Sequence, residues 1–169
     1  AVVVASALLL GACGYSFSGT SLPSHISTIA IPVFENATLD ATIASEATQG
    51  ITERIVQDNR LKIAREANAD CVLEGKVKAY ERNVYNYNAA QQPEEYIVVV
   101  RLAVALKDRV KNRDLWSEEE LTATATYPAD GSPGAIQGDA ALPASEGQAR
   151  EASIEKLAQD ILARTLEQW

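Results

Sequence analysis

The chain has 169 residues, 47% of them hydrophobic and 22% charged, and its formal net charge is −8 at pH 7. This is the composition of a globular protein, and the acidity argues against a nucleic-acid-binding protein, which would carry a basic face. Beyond residue 12 no segment is apolar enough to cross a bilayer, which takes about 20 apolar residues.

The N-terminal segment is an apolar run that ends in small residues directly before a cysteine. Residues 2–10 carry no charge, and Gly11 and Ala12 precede Cys13. The run is too short to span a bilayer and suits the apolar region of a secretory signal. Because the chain contains no methionine, we expect residues 1–12 to be a signal peptide truncated at its start, with Cys13 as the lipidated first mature residue. The alternative is a buried N-terminal strand.

A lipidated leader, residues 13–28, is expected to connect Cys13 to the folded domain, because it is rich in Gly, Ser and Pro. Residues 29–34 then form a short apolar strand. Pro32 removes one hydrogen-bond donor from it, which predicts an edge strand or a bulge.

A helix and a brief strand follow. Between residues 41 and 58 the apolar residues recur every four positions, which predicts an amphipathic helix with Asp40 as its N-cap. Residues 61–64 have the alternation of a brief strand.

The second half of the chain contains three consecutive strands and a helix. Polar and apolar residues alternate over 71–87, 95–108 and 114–127. A long loop is expected at 128–143. A capping box of Ser145 and Gln148 then begins a helix that continues to the C-terminus.

Together these elements predict an α+β fold for residues 29–169, which we expect to form a single domain. The predicted architecture is a two-layer sandwich, with a mostly antiparallel sheet of about four strands and two helices on one face. The even-numbered residues from Tyr96 to Leu106 are expected to lie buried under both helices.

The residues that carry chemistry are sparse. Cys71 is expected to be a buried thiol, with a disulfide to Cys13 as the alternative. The single histidine, His25, has no second metal ligand near it in the sequence, so no metal site and no cofactor are expected. The acidic runs at 94–95 and 118–120 alternate faces along a strand. Since no base accompanies a nucleophile, we expect no catalytic residues and no enzymatic activity.

Basic side chains are the main candidate for binding. Lys76, Lys78 and Arg82 are spaced to share one face of their strand, and Arg101 lies on the adjoining strand. These four residues are either part of a solvated sheet face or a basic stripe that meets phosphates or anionic lipid headgroups.

Several motifs occur together in a fixed order. The sequence from Cys13 to Tyr15 is followed by residues 29–36, then by residues 69–75 at the start of a strand, and then by Leu115 and Trp116. In this order they resemble the lipopolysaccharide-assembly lipoproteins, an LptE-like family.

This resemblance implies an outer-membrane lipoprotein, lipid-anchored on the periplasmic side. It implies a protein that plugs and assists the assembly of a β-barrel lipopolysaccharide translocon, binds lipopolysaccharide and delivers it to the cell surface. The implied partners are the barrel protein, lipopolysaccharide and the membrane. The polar tips at Asn86–Pro93 and Lys111–Arg113 are candidates for contacts inside the barrel lumen.

A second hypothesis is a small structural or regulatory envelope lipoprotein that binds another envelope protein. The two hypotheses differ in their consequence for the cell surface. Loss of a translocon plug lowers surface lipopolysaccharide, whereas loss of a regulatory lipoprotein leaves it unchanged.

Overall fold

The structure, a computed structural model, describes residues 22–132, 136–137 and 140–167. The fold is α+β. Its elements are β1 (Thr28–Ala30), β2 (Glu35–Asn36), α1 (Ile43–Asp58), β3 (Lys62–Ile63), a 3-10 turn (Glu66–Asn68), β4 (Cys71–Tyr87), β5 (Pro93–Asp108), β6 (Arg113–Pro128), β7 (Ile136–Gln137), β8 (Ala140–Ala141) and α2 (Glu146–Glu167).

The main sheet has six strands rather than about four. Its order is β3-β1-β4-β5-β6, and β2 pairs with β4 beyond the end of β1. The long strands β4, β5 and β6 form an antiparallel meander. Strand β1 pairs in parallel with β3 and with β4, and β2 pairs in parallel with β4. The predicted strand count is wrong because residues 29–34 do not form one strand.

Pro32 falls in the break between β1 and β2. Because proline has no amide hydrogen, the sheet ladder stops there and begins again at Glu35. The expectation of an edge strand is also wrong, since β1 lies between β3 and β4. The strands with a single partner are instead β2, β3 and β6.

Helix α2 begins where the sequence predicts, whereas α1 begins at Ile43, two residues later than expected, with Thr42 at its N-cap position. Asp40 nevertheless bonds to the start of α1, because its carboxylate accepts hydrogen bonds from the amides of Thr42 and Ile43, at 2.9 and 3.1 Å. Gln148 donates its amide to the Ser145 hydroxyl at 3.4 Å, but its side chain accepts the amide of Ala144 rather than that of Ser145, so only the first half of the predicted capping box is present.

The core lies between the sheet and the two helices. The predicted even-numbered residues of β5 are buried at 0–4% exposure from Val98 to Leu106, and Tyr96 is half-buried. The predicted stripe of α1, from Ile43 to Ile55, is also buried, and α1 packs against α2 and β4. The even-numbered residues of β5 lie mainly under α2 rather than under both helices. Both helices therefore cover one face of the sheet, and its other face is uncovered by any described element.

A β-bulge in β4 exchanges the faces of that strand. The pairing with β5 shifts between Val77 and Ala79, so that Val77 lies opposite Leu102 and Tyr80 lies opposite Val100. Odd-numbered residues of β4 face the helices before the bulge, and even-numbered residues face them after it.

The predicted loop at 128–143 contains the short hairpin of β7 and β8. The predicted signal peptide, the lipidated Cys13 and most of the leader lie outside the described residues.

Candidate functional site

Three of the four predicted basic residues lie on the uncovered face of the sheet, which we call the open face. Lys76 lies opposite Ala103, and Arg101 lies opposite Ala79. The Lys78 ammonium reaches the carbonyl oxygen of Glu119 on β6 at 3.1 Å. The structure therefore brings Lys76, Lys78 and Arg101 together across β4 and β5.

Arg82 lies on the opposite face, so the expectation that it shares a face with Lys76 is wrong. It is opposite Val98, whose side chain is buried under the helices. Its guanidinium lies 5.0 Å from the Tyr96 ring centroid and 3.5 Å from a Glu146 carboxylate oxygen. The bulge is the physical reason, because it inserts one residue between Lys76 and Arg82.

The open face carries compensated charge rather than a basic stripe. Lys76 pairs with Glu35 at 3.3 Å. Arg101 pairs with Glu81 at 2.9 Å. Lys107, next along β5, pairs with Glu74 at 2.6 Å. Exposed surface pairs of this kind contribute little to stability. Among the basic residues predicted for this face, Lys78 is the one whose described partner is an uncharged carbonyl.

Small and polar side chains fill the space between these charges. Thr122, Thr124 and Thr126 of β6 lie opposite Arg101, Val99 and Ile97. A separate shallow depression of about 210 Å³ is lined by residues of β2, β4, β5 and β6, among them Glu35, Glu74, Ala105 and Ser117. The open face is thus low in relief and polar at its rim.

The helix-facing side of β4 holds an aromatic and charged cluster that joins both helices to the sheet. The Tyr80 hydroxyl donates to Glu146 at 2.7 Å, and Arg150 lies 4.7 Å from the Tyr80 ring centroid. Burial, followed by the hydrogen bond to Glu146, raises the pKa of Tyr80 to about 12. Arg150 also pairs with Asp40 and Glu46, at 3.3 and 3.2 Å.

Sequence reasoning did not identify Arg150. Its partners lie on other elements, up to 110 residues away, and no local motif points to it.

A groove of about 800 Å³ runs between the outer sides of α1 and α2. It forms where Gly50 allows the helices to approach, since a Cβ there would lie 2.6 Å from Ile154. Carboxylates dominate its walls, so a phosphorylated ligand would meet like charge there. The carboxylates belong to Glu46, Glu53, Glu151 and Glu155.

Cys71 is a free thiol with 0% exposure, as predicted. Burial, with smaller contributions from Asp70 and Asp108, raises the pKa of the thiol to about 12. Because the thiolate is the nucleophile, this cysteine is poorly suited to catalysis.

His25 takes part in a structural contact, because its Nε2 lies 2.8 Å from a carboxylate oxygen of fully buried Asp108. Within the described ranges no group of three acidic, His or Cys side chains is arranged to hold a metal ion.

The two tips that we expected to contact a barrel lumen lie at opposite ends of β5. Asn86–Pro93 lies where β5 begins, and Lys111–Arg113 lies where it ends. The 16 residues of β5 separate the two tips, so they lie at opposite ends of the domain. No helix in the described part of the chain is both long and apolar enough to span a membrane.

Comparison with known proteins provides a family match. The model of a family described as "Lipopolysaccharide-assembly", LptE, matches residues 26–165, which is most of the chain. No curated protein matches the chain.

Solved structures share the fold at low sequence identity. Protein XCC0632 from Xanthomonas campestris has a TM-score of 0.59 and 13% identity, covering 87% of this chain and 89% of its own. A PelC dodecamer subunit from Paraburkholderia phytofirmans has a TM-score of 0.55 and 16% identity, covering 88% and 95%. Uncharacterized lipoprotein B from Nitrosomonas europaea has a TM-score of 0.54 and 18% identity, covering 88% and 86%. At these identities the likeness shows the fold alone.

Proposed function

The chain belongs to the LptE lipopolysaccharide-assembly family, and from this premise we propose that it is an outer-membrane lipoprotein that plugs a β-barrel lipopolysaccharide translocon and assists its assembly. In this proposal residues 1–12 are the remainder of a signal peptide and Cys13 carries the lipid. Residues 13–28 are the leader, and residues 29–169 are the domain that occupies the barrel. The role is non-catalytic.

The open face is the observation that supports the plug most directly. It is uncovered by helices, low in relief and rich in ion pairs and threonines. The lumen wall of a transmembrane barrel is polar. An unpaired charge is costly to bury, and most of the cations on this face are already paired with carboxylates. Lys78, which contacts an uncharged carbonyl, is the exception.

Lipopolysaccharide binding is proposed for the three basic residues of the open face, Lys76, Lys78 and Arg101. Lys78 is the leading candidate, because a phosphate can replace its carbonyl partner without breaking an ion pair. Arg82 lies on the other side of the sheet, so its part in binding is separable from that of the other three.

Site-specific photocrosslinking in native envelopes tests the plug. A photoreactive residue at Thr122, exposed on the open face, should crosslink to a large outer-membrane barrel protein. The matched control is Glu151, which is exposed in the groove on the outer side of the helices. Crosslinks from Glu151 alone, or recovery of the lipoprotein without any barrel partner, would contradict the proposal.

Lipopolysaccharide binding in vitro tests the basic residues separately. Lys78→Gln should lower the affinity about tenfold, which is the loss of one charge-assisted hydrogen bond. Lys76→Gln and Arg101→Gln should each lower it less, because each cation already shares its charge with a glutamate. An affinity lowered by Arg82→Gln and unchanged by the other three would move the site to the helix side.

The runner-up function is a structural or regulatory envelope lipoprotein that binds another envelope protein. The observation in its favour is the charge compensation on the open face, which weakens attraction to phosphates. Under this function, deletion of the gene leaves surface lipopolysaccharide unchanged.

A further inference from the structure

The chain enters the fold at one defined end of the sheet, which we call the entry end. His25 bonds to Asp108, the last residue of β5, at 2.8 Å. The amides of Ser27 and Thr28 both donate to a carboxylate oxygen of Asp70 at 2.9 Å. Cys71 and Asp108 are direct partners in the sheet, so these contacts hold the start of the domain at the point where β4 begins and β5 ends.

The turn between β5 and β6 lies at the same end and is held rigidly. Arg109 donates its amide to the Asp70 carbonyl, and Lys111 donates its amide to the Asp108 carboxylate, both at 2.9 Å. Asn112 takes the left-handed conformation, with φ of 50°, that closes the turn. Burial of the Asp108 carboxyl opposes ionisation, but hydrogen bonds from Lys111, His25 and Val110 outweigh it and keep the pKa of Asp108 below its usual range.

This turn presents basic side chains around an exposed apolar residue. Arg109, Lys111 and Arg113 are exposed, and between the first two Val110 is 61% exposed. The first residue of β3, Lys62, adds an exposed cation at the same end, because it pairs with Thr28. Asp114 is the exposed acidic neighbour in β6. The chain as a whole is acidic, whereas the exposed side chains of this turn are mostly cationic; beneath them the Arg113 guanidinium lies 4.0 Å from the buried Asp108 carboxylate.

We propose that the β5–β6 turn docks on the anionic phosphate headgroups of the membrane that carries the lipid of Cys13. The inference rests on the proposed function, because it takes the lipidated leader as the tether. Residues 14–21 span at most about 30 Å, so the tether keeps the entry end close to the bilayer surface. Basic residues are attracted to that surface, and Val110 can enter the interfacial region.

The hairpin tip at the opposite end of the sheet carries no charge, so it serves as an internal control for electrostatic docking. The hairpin tip at 88–92 contains Asn, Ala and Gln and no charged residue. Electrostatic attraction therefore favours the β5–β6 turn, and the hairpin tip lies at the end of the domain that is farthest from the headgroups contacted by this turn.

Hydrogen exchange on tethered protein tests this orientation. The chain from residue 13 is coupled through the Cys13 thiol to a maleimide lipid; buried Cys71 does not compete. Neutral phosphatidylcholine vesicles are compared with vesicles that also contain phosphatidylglycerol. Amides of residues 109–113 should exchange about tenfold more slowly on the anionic vesicles, and those of 88–92 should exchange at the same rate on both.

Charge variants show whether the slowing comes from the turn. Each basic residue near an anionic surface contributes about fivefold to binding, so Arg109→Gln with Lys111→Gln should abolish the slowing. Arg54→Gln with Lys156→Gln makes the same change of charge on the two helices and should leave the slowing intact.

Three outcomes would overturn the proposal. They are equal exchange on the two kinds of vesicle, slowing at 88–92 instead of 109–113, and the same slowing caused by inorganic phosphate without vesicles. Because the tether here is chemical, the result is independent of whether cells lipidate Cys13. That question is answered separately by mass spectrometry of the native protein.

Discussion

The Asp70 carboxylate fixes the beginning of β1 by accepting four hydrogen bonds at one oxygen. The donors are the amides and hydroxyls of Ser27 and Thr28, at 2.8–3.0 Å. Together these hydrogen bonds lower the pKa of Asp70 from 3.8 to about 2, and the bond from the Ser27 amide makes the largest contribution. A carboxyl whose pKa is lower in the folded chain stabilises the fold above its unfolded pKa, and this stabilisation is lost as the pH falls through its folded pKa.

Replacement of this carboxylate should therefore have a pH-dependent cost. Asp70→Asn should lower the free energy of unfolding by about 1–2 kcal/mol at pH 7, because it removes the charge from these hydrogen bonds. The difference from wild type should shrink between about pH 4 and pH 2, as Asp70 itself becomes protonated. Urea unfolding across this range measures it, with Asp114→Asn as the control. A difference that is constant with pH would contradict the role assigned to the charge.

Gly75 is required because the Phe34 ring occupies the space next to it. A Cβ at this position would lie 2.5–2.6 Å from three ring atoms of Phe34, which is itself 3% exposed. Gly75→Ala should lower the free energy of unfolding by about 1–3 kcal/mol through overpacking.

A second substitution separates this clash from a backbone effect. Adding Phe34→Leu to Gly75→Ala should recover part of the loss in chemical denaturation, because the smaller side chain leaves room for the methyl group. Gly147→Ala in the first turn of α2 meets no atom within 4 Å and should be neutral or stabilising. Equal losses in all three variants would refute the steric explanation.

At the scale of elements, the extent of β4 is predictable from its alternation, but its faces are not. Assigning every second residue to the same face assumes regular pairing along the whole strand, and the bulge after Val77 interrupts that pairing. A signal was present in the sequence: the apolar positions change from odd at Leu73 and Val77 to even at Tyr80 and Val84. The position of Arg82 follows from that change of parity.

The position of β1 in the sheet and the ion pairs of the open face depend on contacts between residues that are far apart in the sequence. Pro32 predicted a disturbance in its strand, but the place of β1 inside the sheet depends on β3 and β4, which come later in the chain. The charge compensation of the open face depends likewise on glutamates from other elements, such as Glu35 opposite Lys76. Local patterns carry no information on such pairings.

Deleting Lys78 should test the bulge directly. Without the extra residue, Ala79 would follow Val77 in unbroken alternation, so Tyr80 and Arg82 would stay opposite Val100 and Val98 on the helix side. The Tyr80 ring would remain buried, so the free energy of unfolding should change by less than about 1 kcal/mol.

Lys78→Gln is the matched control for this deletion, because it keeps the bulge and should have near wild-type stability in urea denaturation. A deletion variant less stable than Lys78→Gln by about 3 kcal/mol or more would mean that Tyr80 and Arg82 had left the helix side of the strand.

The whole molecule is polarised along its long strands. The entry end carries exposed Arg109, Lys111 and Arg113, and the far end carries the uncharged tip of the β4–β5 hairpin. The helices cover one face of the sheet, and the open face presents neutralised charge. The two ends therefore differ in their affinity for a membrane surface, and the two faces of the sheet differ in their fit to the wall of a barrel.

This polarity predicts different neighbours for the two ends in intact envelopes. A photoreactive residue at Ala90, in the hairpin tip, should crosslink to the barrel partner. The same group at Val110 should crosslink to lipid. Gel shifts and mass spectrometry of the adducts distinguish the two. Protein adducts of the same partner from both sites would contradict an end-on arrangement.

The length of β5 gives this arrangement a scale. Its 16 residues, at a rise of about 3.3 Å each, measure about 50 Å, whereas the hydrocarbon layer of a bilayer is about 30 Å thick. A rod of this length resting on the inner leaflet would bring its tip level with the outer surface of the cell. Removing two residues from each of β4 and β5, which preserves the faces of both strands, would withdraw the tip by about 7 Å, so the residue count of the hairpin would set its reach.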